Sequence, residues 1–103
     1  DMTYKKLTPK KIIEIQNFFS SEISRIFGSN LSFAFICGSF AKGRLRGNSD
    51  IDLFVCTKEA FAEQIVSFRR FYFDFHKKYN FKADYVDPGE IMTIEELKKS
   101  LDK

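Results

Sequence analysis

The stretch Phe35–Cys56, FICGSFAKGRLRGNSDIDLFVC, decides the fold. Two apolar segments of strand length flank a loop rich in glycine and arginine, and the second segment opens with Asp50 and Asp52. Side chains alternate across a strand, so Asp50, Asp52 and Phe54 project to one face while Ile51, Leu53 and Val55 project to the other. At a rise of about 3.3 Å per residue the two carboxylates stand about 6–7 Å apart. Like charges at that range repel by roughly 2–3 kcal/mol at an effective dielectric near 20. A cation between them turns the repulsion into binding, and oxygen-only ligation by carboxylates and substrate phosphates is how Mg²⁺ is usually held.

Upstream, Gly38 and Ser39 end the run LSFAFIC (residues 31–37). Backbone N–H groups at such a turn favour an anion: Gly38 lets a phosphate approach closely and Ser39 adds a hydroxyl donor. Lys42, Arg44 and Arg46 surround the spot with positive charge, Arg being suited to two-pronged phosphate contact. Ser49, beside Asp50, is counted with them as nucleotide-binding. Residues 40–45 are expected to form one short helical turn.

Farther out the pattern becomes helical. Thr8 is an N-cap with Pro9 in the first turn, and Ile12, Ile15, Phe19, Ile23 and Ile26 recur at three- and four-residue intervals until Gly28. Thr57 is expected to cap a second helix reaching about Tyr79, with Phe61, Ile65, Phe68, Tyr72, Phe75 and Tyr79 in one stripe. Its segment RRFYFDF also alternates every second residue, but the longer stripe passes through it unbroken and favours helix. FKADYV (residues 81–86) reads as a third strand, DPG (residues 87–89) as a turn, and TIEE as a capping box opening a last helix with Ile94, Leu97 and Leu101 on one face. The expected order is α, β, β, α, β, α. His76, near the end of its helix with Lys77 and Lys78, is read as surface.

Transfer of a phosphoryl or nucleotidyl group to a hydroxyl calls for a further carboxylate. Asp87 is explained as the first residue of a Pro-Gly turn, whereas Asp84 stands in an apolar strand with no structural reason to be there. Asp84 is therefore the expected third member.

Among 103 residues, 44% hydrophobic and 30% charged describe an ordinary folded chain rather than a disordered or fibrous one. The length fits one domain, residues 2–103, with Asp1 ahead of Met2 read as an added residue. A formal charge of +3 permits a polyanionic ligand without the clustering of a dedicated nucleic-acid binder, so nucleic acid is not expected as the primary ligand. No apolar run approaches the roughly 18 residues of a membrane span, and no N-terminal signal is visible, so a cytoplasmic location is expected. One histidine and two cysteines without CxxC spacing argue against structural zinc or a disulfide framework. A carboxylate-bound metal points to Mg²⁺ or Mn²⁺.

CGSFAKGRLRGNSDIDLFV resembles the signature of the nucleotidyltransferase superfamily that includes DNA polymerase beta: an apolar strand, Gly-Ser, a gap of about ten residues, then Asp-apolar-Asp-apolar. The short chain is similar to the minimal nucleotidyltransferases, including the antitoxin-type proteins encoded beside HEPN-domain toxins. The likeness covers about Leu31 to Val86. It implies an α/β nucleotidyltransferase fold, a small mixed sheet with flanking helices, whose first two strands run antiparallel with Gly38 and Asp50 at the same end. It further implies that Gly38 and Ser39 hold the nucleotide's phosphates, that Asp50 and Asp52 bind two divalent ions, and that Asp84 is the third catalytic, metal-binding carboxylate.

The activity implied is transfer of a nucleoside monophosphate, AMP from ATP, to a hydroxyl, with a partner protein among the acceptors. Two other readings keep the fold: an inactive antitoxin or binding module, and a small-molecule transferase of the aminoglycoside-modifying kind. The partner implied is a HEPN-type toxin or a second copy of the chain, with Arg69, Arg70, Phe71 and Phe73 as the expected docking surface. In the antiparallel pair Cys37 lies near the aspartates and Cys56 at the far end, so both are expected to be free thiols.

Overall fold

A computed structural model describes residues 4–38, 44–46 and 51–102. Thr8 opens α1 (Pro9–Phe27) by accepting a hydrogen bond from the Lys11 N–H at 3.1 Å, and Pro9 fills the first turn, where no N–H is needed. Gly28, at φ 52°, ends the helix. The buried stripe is Ile15, Phe19, Ile23 and Phe27. A short 3₁₀ turn then feeds β2 (Leu31–Gly38), which pairs antiparallel with β4 (Ile51–Thr57).

Between these strands Arg44–Arg46 forms β3, paired antiparallel with β1 (Tyr4–Lys6) in a separate two-stranded ribbon. Arg44 and Leu45 are thus extended, not part of the expected helical turn, whose remaining residues lie outside those described. Thr57 is also not a helix cap. It is the last residue of β4, buried, and its hydroxyl donates to the Glu59 carbonyl at 2.8 Å, while α2 (Ala62–Lys78) begins after Phe61. The ambiguous RRFYFDF is helical.

α2 ends in a Schellman turn: Phe81 N–H donates to the His76 carbonyl and Asn80 N–H to that of Lys77, with Asn80 at φ 58°. The expected strand over residues 81–86 does not form: only Lys82 makes a single bridge. The third strand of the sheet is β5 (Glu90–Thr93), parallel to β4, so the order is β2-β4-β5. Thr93 and Glu96 make the expected capping box at the start of α3 (Ile94–Leu101).

Among the described residues, three helices and a three-stranded mixed sheet make the small α/β fold expected. Helices α1 and α2 cover one sheet face. There Ile51, Leu53 and Val55 meet the α1 stripe and Phe68, Phe71, Tyr72 and Phe75 of α2 in one core. Phe71 is therefore core, packed against Phe18, Phe19 and Phe75, and not the docking residue expected. Phe73 is half-buried and stacks on Tyr85 at 5.2 Å, while Arg69 donates to the carbonyls of Pro88 and Gly89 at 2.8 and 2.6 Å. Phenylalanine-rich packing of this kind is costly to open: truncating a ring such as Phe75 to alanine loses about 3–5 kcal/mol.

Candidate active site

The register of β2 on β4 brings the two halves of the opening stretch together. Gly38 is paired with Ile51 and Cys37 with Asp52, so the glycine end of β2 adjoins the acidic start of β4. The alternation holds: Ile51, Leu53 and Val55 are buried, Asp52 is exposed and Phe54 half-buried on the opposite, open face. The cysteines are free and far apart in register, Cys37 beside Asp52 and Cys56 beside Phe33.

The next carboxylate on that face was not legible beforehand. Glu90 is paired with Phe54 across the parallel ladder, and paired residues share a face, so Glu90 stands on the Asp52 side of the sheet, one strand over. Both carboxylates act on one atom: burial pushes the Cys37 thiol above its ordinary pKa, and the charges of Asp52 and then Glu90 push it further. Cys37 Sγ also lies 3.5 Å from the Asp52 carbonyl oxygen. Neither Asp52 nor Glu90 has a side-chain hydrogen bond or ion pair among the described residues.

Asp84 is placed differently from expectation. It lies in the loop after α2, where its Oδ1 accepts from the N–H groups of Val86 at 2.9 Å and Asp87 at 3.1 Å, and its own N–H donates to the Tyr72 hydroxyl at 2.8 Å. This is the local side-chain capping that draws Asp out of strands and into turns. The carboxylate thus has a structural task that its sequence context concealed. The Pro88-Gly89 turn that follows resets the chain so that Glu90, not Asp84, enters the sheet, with Gly89 N–H donating to the Asp87 carbonyl at 2.9 Å. A signal for β5 was present: a short apolar segment, Ile91 and Met92, boxed between a Pro-Gly turn and a helix cap.

Of the other expected residues, Arg44 and Arg46 are placed by the pairing of β3 with Lys6 and Tyr4. Ser39, Lys42, Ser49 and Asp50 lie outside the described residues. Among the described residues no three His, Cys, Asp or Glu side chains form a group that could hold a metal by themselves. The described portion is the pair Asp52 and Glu90. Oxygen donors on one exposed face, without partners among the described residues, suit a hard divalent cation that retains waters.

The same face also carries an aromatic stripe. Phe33 and Phe35, 42% and 46% exposed, stack in near-parallel rings 6.3 Å apart, and both stack on Phe54 at 5.9 and 4.9 Å. Such a stripe beside acidic groups is uncommon on a surface that only water touches.

A family model described as Polymerase beta, Nucleotidyltransferase matches residues 14–100, and the chain belongs to that family. No curated protein and no solved structure matches the chain. Among the described residues no helix is long and apolar enough to cross a membrane.

Proposed function

We propose that this chain is a divalent-metal-dependent nucleotidyltransferase that moves AMP from ATP to a hydroxyl acceptor and releases pyrophosphate. The observation that carries the reading is the β2–β4 register, which sets Gly38 opposite Ile51 and leaves Asp52 exposed beside it. Asp52, Glu90 and, from its two-residue spacing to Asp52, Asp50 are the residues that would hold Mg²⁺ or Mn²⁺. When bound, such an ion supplies Lewis-acid stabilisation of the charge that grows on the α-phosphate.

Gly38 and Ser39, with Lys42, Arg44, Arg46 and Ser49, bind the triphosphate and fix the α-phosphorus near the acidic end of β4. The acceptor oxygen attacks that phosphorus, its proton passes to a carboxylate of the set, and the bond to the bridging oxygen breaks to free pyrophosphate. We assign the third carboxylate to Glu90 in place of Asp84, because Asp84 already caps its own loop. The test is incubation with Mg²⁺ and α-labelled ATP, alone and with candidate acceptors. Label transfer should be lost in Asp52→Asn and Glu90→Gln and retained in Asp84→Asn. Transfer that survives Asp52→Asn overturns the assignment.

The aromatic stripe favours one further feature, that the site is completed by a second polypeptide, whether a HEPN-type toxin or another copy of the chain. Phe33 and Phe35 are exposed and stack on the half-buried Phe54 on the carboxylate face, where an acceptor-bearing partner would lie. Replacing Phe33 and Phe35 together by serine should abolish partner capture or self-association while leaving Mg-ATP binding intact. Unchanged association in that variant removes this reading, and in an antitoxin without activity the same loss would appear with no label transfer at all.

A further inference from the structure

We propose that His76 is a positioning residue for the acidic strand, its Nε2–H donating to the carbonyl oxygen of Ile51 and so fixing the peptide that leads into Asp52. The inference rests on the reading of Asp52 as a metal ligand. His76 is 1% exposed and was expected on the surface. Its ring is enclosed by Tyr72, Phe75 and Phe81, with centroids 4.0, 5.7 and 6.2 Å away. An apolar ring would fill this space at lower cost, because a buried imidazole must find polar partners.

It finds two. Nδ1 lies 2.7 Å from the Tyr72 carbonyl oxygen, one helical turn earlier, and Nε2 lies 3.0 Å from the Ile51 carbonyl oxygen, twenty-five residues away in sequence. Carbonyl oxygens only accept, so each contact is a hydrogen bond only when its own nitrogen carries a proton, and a neutral ring carries one. The contact to Tyr72 stays within α2 and orients the ring. The contact to Ile51 crosses from the helix to the sheet at the first residue of β4, where the ladder begins.

Geometry makes that carbonyl consequential. The Ile51–Asp52 peptide is planar, so anchoring its oxygen fixes the direction in which the Asp52 Cα is presented. Ile51 itself is locked from the other side by its buried side chain. Asp52 thereby projects from a peptide held by the core below and by α2 through His76, although the carboxylate itself meets no partner among the described residues. This is the arrangement by which groups behind a ligand set its aim, and loss of such support typically costs 10–100-fold in metal affinity.

The experiment compares Mn²⁺ affinity of the whole chain, read by electron paramagnetic resonance, with thermal stability in three variants. His76→Phe keeps an aromatic ring and removes the ring nitrogens; His76→Gln restores one N–H of similar reach; Phe75→Leu loosens the same core without touching the bond. The expectation is that His76→Phe weakens Mn²⁺ binding about tenfold or more, that His76→Gln recovers most of it, and that Phe75→Leu lowers the melting temperature without changing affinity. Equal affinity in folded His76→Phe, or an equal loss in Phe75→Leu, overturns the proposal. If His76→Phe does not fold, the Ile51 carbonyl ¹³C resonance of the wild type decides: a coupling to His76 ¹⁵Nε2 across the contact supports the bond, and its absence refutes it. Failure of the wild type to bind Mn²⁺ overturns the metal reading instead, and the same ¹³C resonance then judges the hydrogen bond by itself.

Discussion

Replacing Gly89 by alanine tests how β5 and its carboxylate are placed. Gly89 adopts φ +81°, and a Cβ there would lie 2.9 Å from Phe68 Cζ, 3.0 Å from Phe68 Cε2 and 3.2 Å from Tyr72 Cδ1. Neither ring can swing away, since Phe68 is wholly buried and Tyr72 nearly so. Left-handed backbone costs a residue with a Cβ roughly 1–2 kcal/mol, and overpacking a filled core costs about 1–3 kcal/mol more. The sum is on the order of 2–5 kcal/mol, a fall in melting temperature on the order of 10–30 °C for a domain of this size. Gly28→Ala provides the control: its φ is +52°, yet nothing lies within 4 Å of the added Cβ, so only the backbone part applies. Thermal unfolding followed by circular dichroism separates the two. If Gly89→Ala is no less stable than Gly28→Ala, the close approach of the turn to Phe68 is wrong, and with it the basis for Glu90 entering the sheet where it does.

Asp52→Asn should raise the melting temperature of the metal-free chain by the equivalent of up to about 1 kcal/mol, a small figure because the group is exposed, and should erase any stabilisation by Mn²⁺; melts with and without the ion check both. Because the charges of Asp52 and Glu90 raise the Cys37 pKa, Glu90→Gln should lower it, increase the thiolate fraction at pH 8 and speed alkylation of Cys37, as mass spectrometry of iodoacetamide-treated protein would show, with buried Cys56 unlabelled. The Glu96 carboxyl is held below its ordinary pKa by the Thr93 N–H and then the Thr93 hydroxyl, so its contribution to α3 is present above the ordinary glutamate range and lost as pH falls through the lowered value. Amide protection factors at the start of α3, corrected for the intrinsic pH dependence of exchange, should therefore fall in acid, and Glu96→Gln should flatten that dependence.

What was legible in the sequence depended on whether local chemistry was sufficient. Thr8 with Pro9, and Thr93 with Glu96, mark helix starts by hydrogen bonds made within four residues, and both were read correctly. The strand pair was legible because Ile51, Leu53 and Val55 alternate against an acidic face. Thr57 misled because its hydroxyl turns to Glu59 at a strand end, a choice set by the length of β4. Asp84 lies in a loop instead of the expected strand because its carboxylate caps Val86 and Asp87, a local preference that its apolar neighbours concealed. The ribbon of β1 and β3 has three residues per strand, too few for periodicity to register. His76 carries a signal of burial in the sequence: it lies four residues from Tyr72 and eight from Phe68, on the buried stripe. Phe71 entered the core because α1 brings Phe18 and Phe19 against α2, a tertiary contact that no single helix declares.

The measurement that bears most directly on the account is a crystal structure of the chain with Mn²⁺ and a non-hydrolysable ATP analogue, with the ion located by its anomalous signal. The account predicts a peak bonded to carboxylate oxygens of Asp52 and Glu90, with the phosphates lying toward Gly38. A nucleotide bound with its ion at Asp84, or an ion distant from Asp52, would contradict it.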